Sequence, residues 1–598
     1  MIKESMSIFA EIEAESKSIW KDIENGGKPF IRIGTAMCGI AAGANAVVNE
    51  VKNILDENDV DATVSEVGCI GICFAEPILD IKIPDGTRLL YGNVSPENVS
   101  SILDGCLLQS DFPKSNLIGA FGKATEGNGA IPDLLQDPIF KLQHKIVLRN
   151  AGEIDPCDIN QYIGRGGYSA LNKALTRMES GDVLQEVMDS GLRGRGGAFF
   201  ATGLKWSFLS KSNAKEKYIL CNCEEGDPGA FNDKGILESD PHTLIEGIIL
   251  AGYATNSSDG IVFVRHGHDG PINKIETAIS QAYEKGLLGE NILGSGFSFD
   301  IDVSLTGESY VAGEETALMD AIEGKRSMPR SKPPFPAAFG VWGKPTNINN
   351  VKTLSYIPSI IENGGEWFKN IGVNKSTGTA IICLSGKINN PGLYEVPLGI
   401  SIGEVINQIG GGVKGGNKIK LLQTGGPLGG VLGEAGLDIN IDFDEMAKAG
   451  AILGSGGIIV ADETTCAVDL TRVLVAFCQY ESCGKCFPCR LGMSQMLETI
   501  NSIAEYKASE QDLEKCRKIG GAMQAGSLCG HGQLGFNPIR SALQYFKSDF
   551  DTHVFEKKCP TGGCESEYHF PISTKPYGSS NPPDSKPINL SFTGKMNQ

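Results

Sequence analysis

The strongest chemical signal in this sequence is a set of cysteines. The run ESCGKCFPC places Cys483, Cys486 and Cys489 at C-x2-C-x2-C spacing, and Cys529 follows in GSLCGHG. Three thiolates at this spacing can face one corner of a cubane and a distant fourth can close it, the ligand set of a [4Fe–4S] cluster. A four-cysteine zinc site is the alternative, although zinc more often takes two C-x2-C pairs than three thiolates plus one. A second group, His553, Cys559 and Cys564 in HVFEKKCPTGGC, has the residue types of a tetrahedral zinc site lacking one member, or of three unrelated residues beside a polar tail. Near the other end stand Cys38 and the pair Cys69 and Cys73 in GCIGIC. The chain has 17 cysteines, and its first residues, MIKESMSIFAEIEAESKS, show no apolar run behind basic residues, so no secretory signal is expected. Cysteines in a reducing compartment are read as metal or cluster ligands before disulfides.

The second chemical signal is glycine, at 76 of 598 residues. The segment GLRGRGGAFFATGLKW combines a glycine-dense loop with Lys205 and aromatic neighbours. Amides of Gly194, Gly196 and Gly197 can cradle a phosphate, and a following helix N-terminus adds its dipole. The pattern is neither GxGxxG nor GxxxxGK[ST], so a plain flexible turn is the competing reading.

Composition narrows the class. A net charge of −19 argues against nucleic acid, which is held by clustered Lys and Arg. No apolar run approaches the ~18 residues a membrane-spanning helix needs; LIEGIILAGYA is interrupted by Glu246 and Gly247. A soluble, cytoplasmic protein of several domains is expected.

The elements that must position these residues follow from periodicity. Residues 30–108 alternate strand-type and helical runs and end in a hairpin (ILDIKIPDG, TRLLYGNV); 109–145 read as a wrapping linker. In 146–370 strands and helices alternate, the signature of βαβ units on a parallel sheet. Residues 376–460 switch to short strands separated by glycine turns, 466–550 are amphipathic helices, and 551–598 hold the second cysteine group and a Ser/Pro-rich tail read as disordered.

Six motifs in order, GLRGRGG with TGLKW, CNCEEGDPG, YVAGEETAL, KPPFP, WGKPTNINN and ESCGKC-x2-C, are similar to those of the NADH-binding flavoprotein subunit of respiratory complex I. The resemblance covers roughly 145–565. It is closer to the diaphorase subunits of multimeric [FeFe]-hydrogenases, NAD-linked formate dehydrogenases and electron-bifurcating transhydrogenases, because of the N-terminal unit and the RGGY segment at 165–168. It implies an α/β multidomain fold: a thioredoxin-like domain, a Rossmann-like FMN/NAD domain, a β-grasp-like (SLBB) insert and a helical iron–sulfur domain.

The resemblance also implies a site. FMN would be held by Gly194, Arg195, Gly196, Gly197 and Lys205, with Asn222, Glu224 and Glu225 beside it. Tyr310, Gly313 and Glu314 would approach its ring, and Ile348, Asn349 and Asn350 would close the pocket. NAD(H) would lie among Phe200, Phe208 and Phe335, with Glu315 and Lys332 on its polar parts and Asp227 near its adenosine side, favouring NAD(H) over NADP(H) by charge. Phe199 stands where the family usually has Gly, Ala201 where it has Pro, and Glu224 where it has Asp.

For the outer cysteines, relatives suggest Cys466 as the fourth member of a zinc site with His553, Cys559 and Cys564. They also suggest a [2Fe–2S] cluster at Cys38, Cys69 and Cys73, although the second cysteine expected five residues after the first is Gly43 here; either an unusual ligand completes the cluster, or the unit has lost it and serves as a docking module. The partners implied are a small thioredoxin-like [2Fe–2S] subunit, a large catalytic subunit carrying further clusters, and ferredoxin. The terminal reaction favoured is that of a hydrogenase, then a ferredoxin:NADP transhydrogenase or formate dehydrogenase. A non-catalytic scaffold derived from a flavoprotein is the reading of another class.

Overall fold

The computed structural model describes residues 2–109, 111–122, 131–307 and 309–565. The Ser/Pro-rich tail after 565 and part of the 109–145 segment lie outside them.

Helix Ile2–Asn25 opens the chain and packs on helix Ile159–Gly164, burying Phe9 and Trp20. A five-stranded sheet follows, in the order β2 (Thr63–Val67), β1 (Phe30–Gly34), β3 (Leu79–Lys82), β4 (Arg88–Tyr91), β5 (Leu117–Ala120). β1 and β2 are parallel and the other neighbours antiparallel. Helix Ala44–Glu57 connects the parallel pair, with Val47, Val51 and Ile54 turned to the core at helical spacing. Because β5 joins this sheet, the first unit runs past residue 108 into the stretch expected to be linker.

The second sheet is fully parallel, in the order β8 (Asp300–Thr306), β7 (Asp259–Arg265), β6 (Tyr218–Cys223), β9 (Thr346–Asn350). Strands buried on both faces read as continuous apolar runs, as IVFV of β7 does. Helix Pro241–Thr255 is buried nearly all round, which explains its uniformly apolar sequence. Its one acid, Glu246, accepts bonds from the Tyr162 hydroxyl (2.6 Å) and the amides of Tyr168 (2.9 Å) and Leu171 (3.0 Å), anchoring the RGGY segment. The chain runs outward from β6 to β7 and β8, then returns to β9 on the other side. The order therefore reverses between β6 and β9, and a crevice opens at their C-terminal ends, where ligands bind in open α/β sheets.

The third sheet carries the glycine-punctuated strands, ordered Gly392–Pro397, Thr379–Gly386, Gly457–Asp462, Ile419–Thr424, Val431–Leu432. Helices Ala467–Tyr480, Phe487–Ala504, Glu510–Gly526 and Asn537–Tyr545 form the last unit around Val475, Met493, Met496 and Ile500. Each such side chain contributes about 1.5–3 kcal/mol by burial. Among the described residues, no helix is long and apolar enough to cross a membrane.

Candidate functional site

The glycine loop arrives at the β6/β9 crevice as a tight hairpin. Arg193 and Ala201 form a bridge, Gly194 N donates to Phe200 O (2.8 Å), and Arg195 N donates to the Thr353 hydroxyl (2.9 Å). The apex sits over the end of β9, where a Cβ on Gly196 would lie 3.0 Å from Asn350 Cβ. Phe199 adopts φ +54°, a backbone conformation for which glycine is the ordinary choice. Its ring offsets that strain by packing on Phe443, with centroids 4.4 Å apart. Ala201 precedes helix Thr202–Ser210, which carries Lys205 and Phe208.

Several expected contact residues spend their side chains on the protein. Arg195 is buried, and its guanidinium donates to the carbonyls of Thr379 (3.2 Å), Arg193 (2.6 Å) and Thr377 (2.6 Å). It braces the loop against the third sheet and has no arm left for a phosphate. Glu225 accepts from the amides of Asp233 (2.7 Å) and Lys234 (2.9 Å) at the start of helix Asn232–Ser239. Glu314 caps helix Glu315–Ile322 through the amides of Thr316 (2.9 Å) and Ala317 (3.0 Å). Asn349 accepts from the Trp206 indole (2.9 Å), and Asn350 donates to Asp233 (2.5 Å) while capping the helix that begins at Val351. Ile348 is buried and offers its carbonyl to Lys205 (2.7 Å).

Asp227 also departs from expectation. Resemblance puts it toward an adenosine, yet its carboxylate accepts from Ser455 (2.5 Å), and a Cβ on Gly426 would overlap it. It is turned into the loops of the third sheet, and burial lifts it to about 6. Glu224 is 3% exposed, accepts from Gly226 N (2.9 Å) and pairs with Arg265 at 2.6 Å. Its extra methylene relative to Asp is thus used to reach an arginine. Burial still lifts Glu224 to about 7, and burial does the same to Glu225.

What remains open to a ligand is the face built by Lys205, Glu315 and Lys332. Glu315 receives Lys205 at 3.0 Å and Lys332 at 2.5 Å. Burial alone would raise its carboxyl, but the two ammonium groups hold it down to about 2. This ion-paired strip ties helix Thr202–Ser210 to the KPPFP segment. Phe200, Phe208 and Phe335 are 49%, 46% and 60% exposed, a large apolar surface for residues that normally bury. Flat faces beside a charged, hydrogen-bonding strip suit an aromatic, phosphate-bearing ligand.

Residues 310–313 connect this crevice to the cysteines. Gly313 O accepts from the Asn222 amide (2.7 Å), and Asn222 Oδ1 accepts from Glu224 N (3.2 Å). Tyr310 packs on Phe477 and His531, and its amide donates to Glu481 (2.9 Å). Val311 lines a small cleft with Cys483, Cys486, Cys489, Cys529 and His531. Cys486 and Cys529 each stand at the start of a helix, Phe487–Ala504 and Gly530–Leu534. The donor set, four thiols around one cleft, fits a cluster.

Cys466, His553, Cys559 and Cys564 converge, with all ligand atoms within 4.8 Å of one another. Cys466 Sγ lies 3.6 Å from His553 Nε2, which is 3.3 Å from Cys564 Sγ, and the two sulfurs are 3.5 Å apart. Ligands on one tetrahedral zinc stand about 3.3–3.8 Å apart, given metal–ligand bonds of about 2.0–2.3 Å. His553 Nδ1 is hydrogen-bonded to Asp549 O (2.7 Å), the outer partner that orients a metal-binding imidazole. Nothing local in the sequence marks Asp549 as part of this site. Cys38, Cys69 and Cys73 also converge within 4.8 Å.

Known proteins match in three consecutive stretches. Residues 187–359 match the Nuo51 FMN-binding domain, 381–432 the SLBB domain, and 469–553 the NADH-ubiquinone oxidoreductase-F iron–sulfur binding region. The NADP-reducing hydrogenase subunit HndC of Solidesulfovibrio fructosivorans is 46% identical over 71% of this chain and 86% of its own length. An NADH-quinone oxidoreductase subunit of Rhizobium meliloti is 41% identical over 69% of this chain and 99% of its own. The crystal structure of an NAD+-reducing [NiFe]-hydrogenase in the H2-reduced state superposes with TM-score 0.62 at 26% identity, over 91% of this chain and 87% of that one. The chain belongs to the family of oxidoreductase flavoprotein subunits of complex I and hydrogenase-type complexes, with an FMN-binding domain, an SLBB domain and an iron–sulfur binding region.

Proposed function

We propose that the chain oxidises or reduces NAD(H) at FMN and exchanges electrons with partner subunits through one [4Fe–4S] cluster on Cys483, Cys486, Cys489 and Cys529. The observation that carries this reading is the 310–313 turn, which touches the crevice at Gly313 and the cysteine cleft at Val311. Bound FMN would supply the conversion between two-electron hydride chemistry and one-electron transfer. The protein's part is positioning. The hairpin braced by Arg195 brings Gly194, Gly196 and Gly197 to the crevice. Asn222 and the Glu224–Arg265 pair stiffen its floor. Lys205, Glu315 and Lys332 offer charge to the polar parts of the dinucleotide, while Phe200, Phe208 and Phe335 offer flat faces to its rings. Tyr310 and His531 fill the space beside the cluster and exclude water.

The quartet Cys466, His553, Cys559 and Cys564 is read as a closed structural zinc site that ties the C-terminal segment to the helical unit. We read the complex as a cytoplasmic electron-bifurcating one, with hydrogenase the favoured terminal reaction and transhydrogenase or formate dehydrogenase the alternatives. Affinity purification of the intact complex, with mass spectrometry of its subunits, decides the point. A co-purifying hydrogenase subunit supports it, and a formate dehydrogenase or transhydrogenase subunit replaces it.

A further inference from the structure

The N-terminal cysteines do not fit the [2Fe–2S] cluster their fold suggests. Such a cluster takes two thiolates on each of two irons, so its ligand pairs lie on opposite sides of the iron–sulfide rhomb. Here only three thiols face the site, all within 4.8 Å of one another, and Cys69 and Cys73 are 3.7 Å apart. The position five residues after Cys38 is Gly43, an exposed helix-terminating residue at φ +104°. A Cβ there would meet nothing within 4 Å.

A carboxylate flanks the site beside Cys38 without joining the convergent group of three sulfurs. Glu76 is 6% exposed, and one of its oxygens accepts from Ile78 N (3.0 Å). The other lies 3.7 Å from Cys38 Sγ. The sequence makes room for this carboxylate: a Cβ on Gly34 would stand 2.8 Å from it and one on Gly39 3.1 Å. A buried carboxylate is costly without a charge partner. The nearby Lys145 ammonium donates instead to Ile70 O (3.3 Å), on the loop between Cys69 and Cys73, where it can offset a net negative metal site.

We propose that Cys38, Cys69 and Cys73 hold a single zinc ion, with a solvent molecule as its fourth ligand and Glu76 beside Cys38 as the outer partner. The 3.7 Å spacing of Cys69 to Cys73 matches ligands sharing one ion with bonds of about 2.0–2.3 Å, and Cys38 Sγ lies within 4.8 Å of both. Zinc is preferred to iron(II) by such a donor set. The ion clamps helix Met37–Ala42 to the 69–76 loop. That loop docks on the third sheet, where Leu393 N donates to Gly71 O (2.9 Å), while Met37 N donates to Glu238 (3.1 Å). The N-terminal unit is then a docking module that carries no electron.

The test is metal and acid-labile sulfide analysis of the full chain, its Cys69→Ser and Glu76→Gln variants, and Cys559→Ser as a separate control for the C-terminal quartet. Cys69→Ser should lose about one zinc per chain, with iron, sulfide and FMN unchanged. Glu76→Gln should release zinc to a chelator at least about tenfold faster than the parent. Loss of about two irons and two sulfides from Cys69→Ser would establish a [2Fe–2S] cluster and overturn the proposal. Loss of iron without sulfide, or no metal change, would overturn it equally. If Cys69→Ser does not fold, the parent decides: iron and sulfide near four per chain support the zinc site, and values near six refute it.

Discussion

Tyr310 stands edge-on to Phe477, ring centroids 5.4 Å apart at 71°, and its ring also contacts His531, two residues beyond Cys529. Tyr310, in the FMN-binding domain, thus packs against the core of the helical unit, and its neighbour Val311 lines the cysteine cleft. The two regions meet at this contact, so changes on either side are expected to be felt across it.

Arg195 is expected to brace the loop without touching FMN. Arg195→Lys leaves at least one of three carbonyls without a donor, costing on the order of 1–3 kcal/mol. Thermal unfolding of the flavin-free chain should therefore shift down. FMN loss without any destabilisation of the flavin-free protein would mean that the guanidinium contacts the cofactor after all.

Glu315, which pairs with both Lys205 and Lys332, lies on the open aromatic face, with Glu314 also reaching Lys332 at 3.2 Å; Asp227 faces Ser455 instead. Glu315→Gln should raise KM for NADH roughly fivefold to tenfold, about 1–1.4 kcal/mol. It should also narrow the NADH/NADPH ratio of kcat/KM, because a carboxylate that disfavours a 2′-phosphate is gone. Asp227→Asn, facing Ser455, should change that ratio by less than about twofold. The reverse ranking would restore Asp227 to the nucleotide.

Glu224 links stability to pH. Its carboxyl is raised from 4.5 to about 7, chiefly by burial, so between those values the folded chain binds the proton more tightly than the unfolded one. The Glu224 contribution is fully present below about 4.5 and is lost as pH rises through about 7. Melting of Glu224→Gln relative to the parent should therefore improve steadily across that window. A difference independent of pH would rule out the shift.

At the C-terminal end, Cys559→Ser should remove about one zinc per chain and leave iron unchanged. Proteolysis should then cut near 551–565 in the variant and spare the parent. A zinc content equal to the parent's would dismiss the quartet as a metal site.

How much of this is legible in the sequence depends on how local the cause is. The parallel sheet of β6 to β9 and the cysteine spacing can be read because periodicity and i, i+3 spacing are local. Even the quartet of Cys466 and His553 is within reach, since the residue types are ligands wherever they sit. The roles of side chains set by distant contacts are not. Arg195 turns away because Thr377 and Thr379 lie beside it, and Asp227 turns inward because Ser455, 228 residues later, meets it. Glu76 gives no signal at all; a Glu before a proline reads as a loop until Cys38 is folded against it. Helix Ile2–Asn25 is likewise hidden when the N-terminus is weighed only for an export signal.

The central claim is electron passage from NAD(H) through the crevice to the cluster at Cys483, Cys486, Cys489 and Cys529. It is tested most directly by anaerobic NADH reduction of the parent and Cys486→Ser, followed by optical and electron paramagnetic resonance spectra. The parent should show flavin bleaching and a reduced [4Fe–4S] signal. The variant should keep FMN and its bleaching while losing that signal, about four irons per chain and electron delivery to partner subunits. Unchanged iron content and an unchanged cluster signal in Cys486→Ser would contradict the account.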